Sequence, residues 1–134
     1  MSIFDLFKPK PKLTLSHEEQ QWNRMWDLWC EGRAASPYQE LMTYQSEVNN
    51  GGHSQYFFNT ANNGDLKAEV EVLLPILPPP HAENLRKGYE AFAAMADIAD
   101  DDCDDLLDEC DDVFYANEAA INDLLRAYAD TIVL

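Results

Sequence analysis

The sequence predicts an all-α fold, a single compact domain of about six helices. Three observations lead there. Apolar residues recur at steps of three and four along most of the chain, helix start signals stand where those periodic stretches begin, and no segment shows the two-residue alternation of a half-buried strand. A length of 134 residues suits one domain with its own core.

Residues 1–15 read as an arm and residues 16–134 as the domain. Ile3, Phe4, Leu6 and Phe7 are followed by Lys8-Pro9-Lys10-Pro11-Lys12, an alternation that no helix accommodates and that reads as extended. The arm is the chain's one basic cluster, able to fold back on acidic surface, and its few apolar residues are too short a stretch for stable membrane association. Ser16 and Glu19 then form a Ser-x-x-Glu capping box that opens a helix carrying Trp22, Met25, Trp26 and Trp29 on one face, with Gly32 as its stop. Ser36 as N-cap and Pro37 at the first helical position start a second helix through Leu41, Tyr44, Gln45 and Val48. Asn50-Gly51 is a hairpin signal, yet the residues before it lack strand alternation. A helix–turn–helix corner is therefore expected, with Gly51 or Gly52 at positive φ.

Beyond the corner, Tyr56, Phe57 and Phe58 point to core, and Asn62-Asn63-Gly64 makes a turn. Asp65 is placed to cap a helix over residues 66–74, which Pro75 and Pro78-Pro79-Pro80 end. From His81 a helix puts Leu85, Tyr89, Phe92 and Ala96 on one side. An acidic helix follows, and Ala116 or Asn117 begins a last one with Ile121, Leu124, Leu125, Tyr128 and Ile132.

The acidic segment is the chain's most unusual feature. Residues 97–112 read DIADDDCDDLLDECDD, ten carboxylates without a Lys or Arg, and they supply most of a formal charge of −16. Laid on a helix, Cys103, Leu106, Leu107, Cys110, Val113 and Phe114 form an apolar stripe, and the acids take the remaining surface. Carboxylates four residues apart then stand about 6 Å apart along one face, close to the pitch of phosphates along a nucleic-acid strand. Like charges at that spacing cost a few tenths of a kcal/mol per pair.

That charge repels nucleic acid and anionic lipid and attracts basic proteins, so direct nucleic-acid binding is set aside. Cys30, Cys103 and Cys110 are odd in number and without a CxxC. They read as small buried thiols in a reducing compartment, which together with the absence of a signal-peptide pattern makes the cytoplasm the expected location. Asp100, Asp102, Asp104 and Asp108 match positions one, three, five and nine of a calcium loop, but Asp105 replaces its glycine and Asp111 its closing glutamate. Weak divalent binding is expected there, with no structural metal and no cofactor. His17, His53 and His81 are scattered, and no zinc, P-loop, dinucleotide or nucleophile-elbow motif is present, so no catalytic residue is assigned and an enzyme is not expected.

The run Tyr44-Gln45-Ser46-Glu47-Val48-Asn49-Asn50-Gly51-Gly52-His53-Ser54-Gln55-Tyr56-Phe57-Phe58-Asn59 resembles the signature of the DNA-mimic-protein-nineteen-like family, long catalogued as a domain of unknown function. The Leu-rich helix downstream, the Tyr89–Phe92 stretch and the terminal Leu124-Leu125-x-x-Tyr128 also look like it, so the resemblance spans about residues 16–134. One departure is His53, where an apolar or aromatic residue is common. The resemblance implies an all-helical protein, and the family's namesake is an acidic protein that occupies the DNA-binding surface of a transcription factor. Asn50, Gly51, Gly52, Gln55 and Asn59 are then structural, serving turn geometry and backbone capping. Mimicry would rest on Asp97, Asp100, Asp101, Asp104, Asp105, Asp108, Asp111 and Asp112, presented as phosphate surrogates to a basic, DNA-binding regulator or nuclease. Two other readings stand beside it: an immunity protein against a basic toxin, and an acidic helical domain whose charged face is only solvated. A homodimer is left open.

Overall fold

The structure is a computed structural model that describes residues 14–95 and 101–134. The basic arm up to residue 13, and Asp97 and Asp100 of the acidic run, lie outside the described residues. Five helices follow one another, α1 (His17–Cys30), α2 (Tyr38–Asn63), α3 (Leu66–Leu73), α4 (Pro79–Ala93) and α5 (Asp101–Ala129), and no strand occurs among the described residues.

Local chemistry sets the helix ends. The Ser16 hydroxyl accepts the Glu19 amide at 3.1 Å, as the capping box requires. At the other end of α1, Gly32 takes φ 69°, its amide donating to the Trp29 carbonyl while that of Arg33 reaches Leu28, a Schellman stop. Asp65 caps α3 through the Ala68 amide at 3.1 Å. α2 opens one residue later than expected, with Pro37 as its N-cap, because the Ser36 hydroxyl goes to the Glu40 carboxylate at 2.9 Å instead of a backbone amide. α4 likewise begins two residues early, since proline at N1 and N2 lacks only amides that a helix start leaves unpaired.

α2 is two helical limbs broken at Gly51 and Gly52, where the backbone leaves helical geometry. Ring and hydrogen-bond contacts join Tyr44 to Tyr56 and Glu47 to both Gln55 and Asn59, so the limbs fold back on one another as the expected corner. Counting those limbs separately gives six rods. The acidic helix and the last helix, in contrast, are one continuous helix, α5, about 43 Å long at 1.5 Å per residue. No Gly or Pro interrupts it, and its buried stripe of Cys103, Leu107, Cys110, Phe114, Ile121, Leu125 and Ala129 stays in phase throughout. Asn117, read from the sequence as a cap, bonds back to the Val113 carbonyl at 2.9 Å and lets the helix run on.

α5 is the spine on which α1, α2 and α4 pack, and α3 bridges α2 to α4. The core gathers Leu41, Met42, Tyr44, Tyr56, Phe57, Leu73, Leu85, Phe114, Ile121 and Leu125, all fully buried. Edge-to-face rings from Tyr44 to Phe114 and to Tyr56 fix the two α2 limbs against α5. Met25 is the buried anchor of α1, while Trp22, Trp26 and Trp29 lie half-buried in an edge-to-face ladder. The connection into α2 is pinned to α5 by stacked Tyr38 and Tyr128 rings and by the Ala35 amide donating to the Tyr128 hydroxyl. Cys103 and Cys110 are buried as expected, but Cys30 is exposed, since it ends α1 on the side away from Met25. Val113, assigned to the apolar stripe, is also exposed, lying at its margin.

Candidate functional site

The amino-terminal half of α5 carries the acidic surface. Asp101, Asp102, Asp104, Asp105, Asp108, Glu109 and Asp112 are exposed, and none of them forms an ion pair among the described residues. At about 100° per residue, Asp101, Asp105, Asp108 and Asp112 fall within a strip about 60° wide, opposite the buried stripe. They form one row about 16 Å long, with steps of roughly 4.5 to 6 Å between successive carboxylates. Asp104 flanks the row on one side, and Asp102 and Glu109 on the other. Asp101, Asp102 and Asp104 sit in the first helical turn, where the macrodipole favours negative charge and offsets part of the mutual repulsion. Because the helix is continuous from Asp101, the segment does not form a calcium loop. No group of three or more His, Cys, Asp or Glu side chains is arranged to hold a metal ion among the described residues.

Asp111 is different. Its carboxylate turns inward, where Oδ1 accepts the His53 backbone amide at 2.7 Å and meets His53 Nδ1 at 2.6 Å. On the far side of the fully buried imidazole, Nε2 lies 2.6 Å from the Tyr44 hydroxyl. One proton arrangement satisfies all three groups. A carboxylate only accepts, so Nδ1 carries the hydrogen, and Nε2 is then the acceptor for the Tyr44 O–H. Burial first, then the charges of its neighbours including Asp111, raises the Tyr44 phenol well above its ordinary range and keeps that proton in place. Asp111 therefore leaves the row of phosphate surrogates and serves as the strut between α5 and the corner of α2.

The signature residues find their roles around the same corner. Gly52 has φ 76°, and a Cβ there would run into the Asp111 carboxylate, so both backbone and contact demand glycine. Gly51 keeps a negative φ, and only the movable Gln55 side chain crowds it. Gln55 and Asn59 both donate to Glu47 Oε2 at 2.9 Å, lashing one limb of α2 to the other. Gln45 and Asn49 donate to Glu118, and the Tyr115 hydroxyl donates to the Val48 carbonyl, all tying α2 to α5. Asn50 is exposed and makes no such tie; it lines a groove of about 530 Å³ with Trp22, Trp26, Gln45, Ser46, Asn49 and Asn122. The signature run and the acidic run, separate in the sequence, are thus one assembly: the corner grips the helix that carries the charges. Sequence reasoning missed this relay, although two signals existed. His53 stands among aromatic residues, and position 111 borders the apolar stripe.

Replacing Gly52 with Ala should cost about 2–4 kcal/mol, from the positive φ and the collision with a carboxylate that cannot move without releasing His53. Thermal melts will show it, whereas Gly51→Ala should lose much less. The buried thiol of Cys110 is pushed up to about 11, chiefly by burial and then by Asp111 and Glu109, which leaves it protonated and unreactive. No helix among the described residues is long and apolar enough to cross a membrane.

The family model described as DMP19-like protein matches residues 40–132. No curated protein and no solved structure matches the chain. The matched span takes in the α2 corner, the carboxylate clamps and all of α5, and on that agreement of sequence and geometry the chain belongs to the DMP19-like family.

Proposed function

We propose that this protein is a DNA mimic that binds a basic, DNA-binding protein and competes with nucleic acid for it. The observation that supports this reading most is the outward row of Asp101, Asp105, Asp108 and Asp112, carboxylates without an ion pair among the described residues, on a helix whose orientation is fixed from behind. A partner that tracks phosphates with Lys and Arg meets the same charge at nearly the same pitch, already ordered. Binding is the whole activity in this reading, with no catalytic step and no cofactor.

The test is affinity capture from host lysate on immobilised protein, eluted with a salt gradient, followed by competition with the captured protein's own DNA. A DNA-binding protein that elutes as salt rises, and whose DNA complex is dissolved by added protein, supports mimicry. A captured protein that keeps its DNA in the presence of excess protein would remove the proposal.

A further inference from the structure

Beyond the acidic row, the same side of α5 runs into a groove. Continuing the row at steps of three and four, Tyr115, Ala119 and Asn122 are exposed, and Asn122 stands about 15 Å past Asp112 along the helix axis. There α1 and the first limb of α2 both pack on α5 and leave a groove of about 530 Å³. Trp22 and Trp26 of α1 form one side, Gln45, Asn49 and Asn50 of α2 the other, and Asn122 of α5 completes it.

The amides are held in place. Gln45 Nε2 donates to Glu118 Oε2 at 3.1 Å and to Asn122 Oδ1 at 2.8 Å, and Asn49 Nδ2 donates to Glu118 Oε2 at 2.8 Å. Both hydrogens of the Gln45 amide are spent, so what it has left to offer a ligand is carbonyl oxygen. The aromatic side already takes one cation of the chain's own: the Arg126 guanidinium lies 5.5 Å from the centre of the Trp22 ring, its charge met by Asp130 at 2.7 Å. No Lys or Arg occurs in residues 38–63 or 101–125, so α2 and the stretch of α5 from the row to the groove contribute none. The spacing is also regular. The Trp22 and Trp26 ring centres are 6.5 Å apart, and Gln45 and Asn49 are about one helical turn, roughly 6 Å, apart. Alternate side chains of an extended chain recur at about 6.6 Å. One extended segment therefore stays in step with both sides of the groove.

We infer that this groove receives an extended, arginine-containing segment of a basic protein. Alternate side chains of the segment lie along Trp22 and Trp26, with a guanidinium on the Trp26 ring, and its backbone meets the amides of Gln45, Asn49 and Asn50. Arg suits the groove better than Lys, because its plane stacks on a ring while its N–H groups reach carbonyl oxygens. A protein held on the acidic row by its own cations has the groove within reach on the same side of α5, and the surface between carries no charge that repels it. The inference rests on the mimic reading only for which protein supplies the segment.

The test is titration of the full chain with a synthetic peptide alternating Arg and Thr, read by tryptophan emission, with a Gln-for-Arg peptide as control. A saturable change is expected with the Arg peptide alone, and it should persist when Asp101, Asp104, Asp105, Asp108 and Asp112 are all changed to Asn. Asn50 is exposed and makes no tie to the fold, so its charge can be set without unfolding the domain. Asn50→Lys should weaken the peptide at least about fivefold, and Asn50→Glu should tighten it about threefold. Binding lost in the five-Asn variant and indifferent to position 50 would place the peptide on the acidic row and overturn the inference. So would the absence of a saturable emission change. A tenfold gain on changing Lys8, Lys10 and Lys12 to Gln would name the chain's own basic arm as the occupant, and overturn it as well. The mimic reading stands or falls separately: partner capture lost in the five-Asn variant but undiminished by Asn50→Lys would keep mimicry and remove the groove from it.

Discussion

Changing Asp101, Asp104, Asp105, Asp108 and Asp112 to Asn should abolish partner capture while leaving the fold intact. All five are exposed, and no cation partners them among the described residues, so their neutralisation breaks no ion pair there. Losing four or five charge contacts with a basic partner should flatten the dependence of affinity on salt and weaken binding by at least about a hundredfold at low ionic strength. Two opposing terms keep the effect on stability small. Relieving like-charge pairs at three- and four-residue spacing returns a few tenths of a kcal/mol each, while neutralising Asp101 and Asp104 forfeits a favourable interaction with the helix dipole of similar size. The expected change in melting temperature is therefore within a few degrees, with repulsion relieved at low salt tending to raise it. Capture that survives in this variant with an unchanged salt slope would sink the proposed face.

Asp111→Ala should do the opposite, destabilising the domain by about 3 kcal/mol, which for a chain of this size lowers the melting temperature by about 10 °C. The loss has a definite origin. The His53 amide and Nδ1–H would both be left without an acceptor, next to an imidazole with no route to water. Asp111→Asn should be milder, because its carbonyl oxygen can still accept both. Asp112→Ala, one residue along on the exposed row, should change stability by no more than about 0.5 kcal/mol. Urea unfolding of the three variants side by side makes the comparison, and equal, small effects at 111 and 112 would mean that the relay is not a structural strut. Asp111→Ala should also reduce capture through loosening of the surface rather than loss of one charge, so its capture should recover at low temperature.

Most of the helical layout is legible in the residues. The prolines at residues 78–80, read as a break, open α4, whereas Ser16-x-x-Glu19, Gly32 and Asp65 state their roles locally, because a cap or a stop involves groups within four residues of each other. The corner at Gly51 and Gly52 is legible for the same reason. The split of α5 into two helices misread Asn117, whose side chain was equally suited to a cap or to a bond one turn back. Ser36 misled in a similar way, its hydroxyl having the Glu40 carboxylate as a stronger competitor than a backbone amide.

By itself the sequence determined the charge, the helical class, the family signature and the side of α5 on which its acids fall, since all of these follow from composition and from the 3.6-residue period. What only the tertiary structure decided is which acid does what. Asp111 and Asp112 are adjacent and chemically identical, yet one is held by His53 and the other faces solvent. Glu40 and Glu69 are 29 positions apart, yet the charges of both bear on the buried Tyr56 phenol. The reason is that desolvation and hydrogen-bond pairing depend on what the fold brings close in space, and for these residues the neighbours come from other helices or from the other limb of α2.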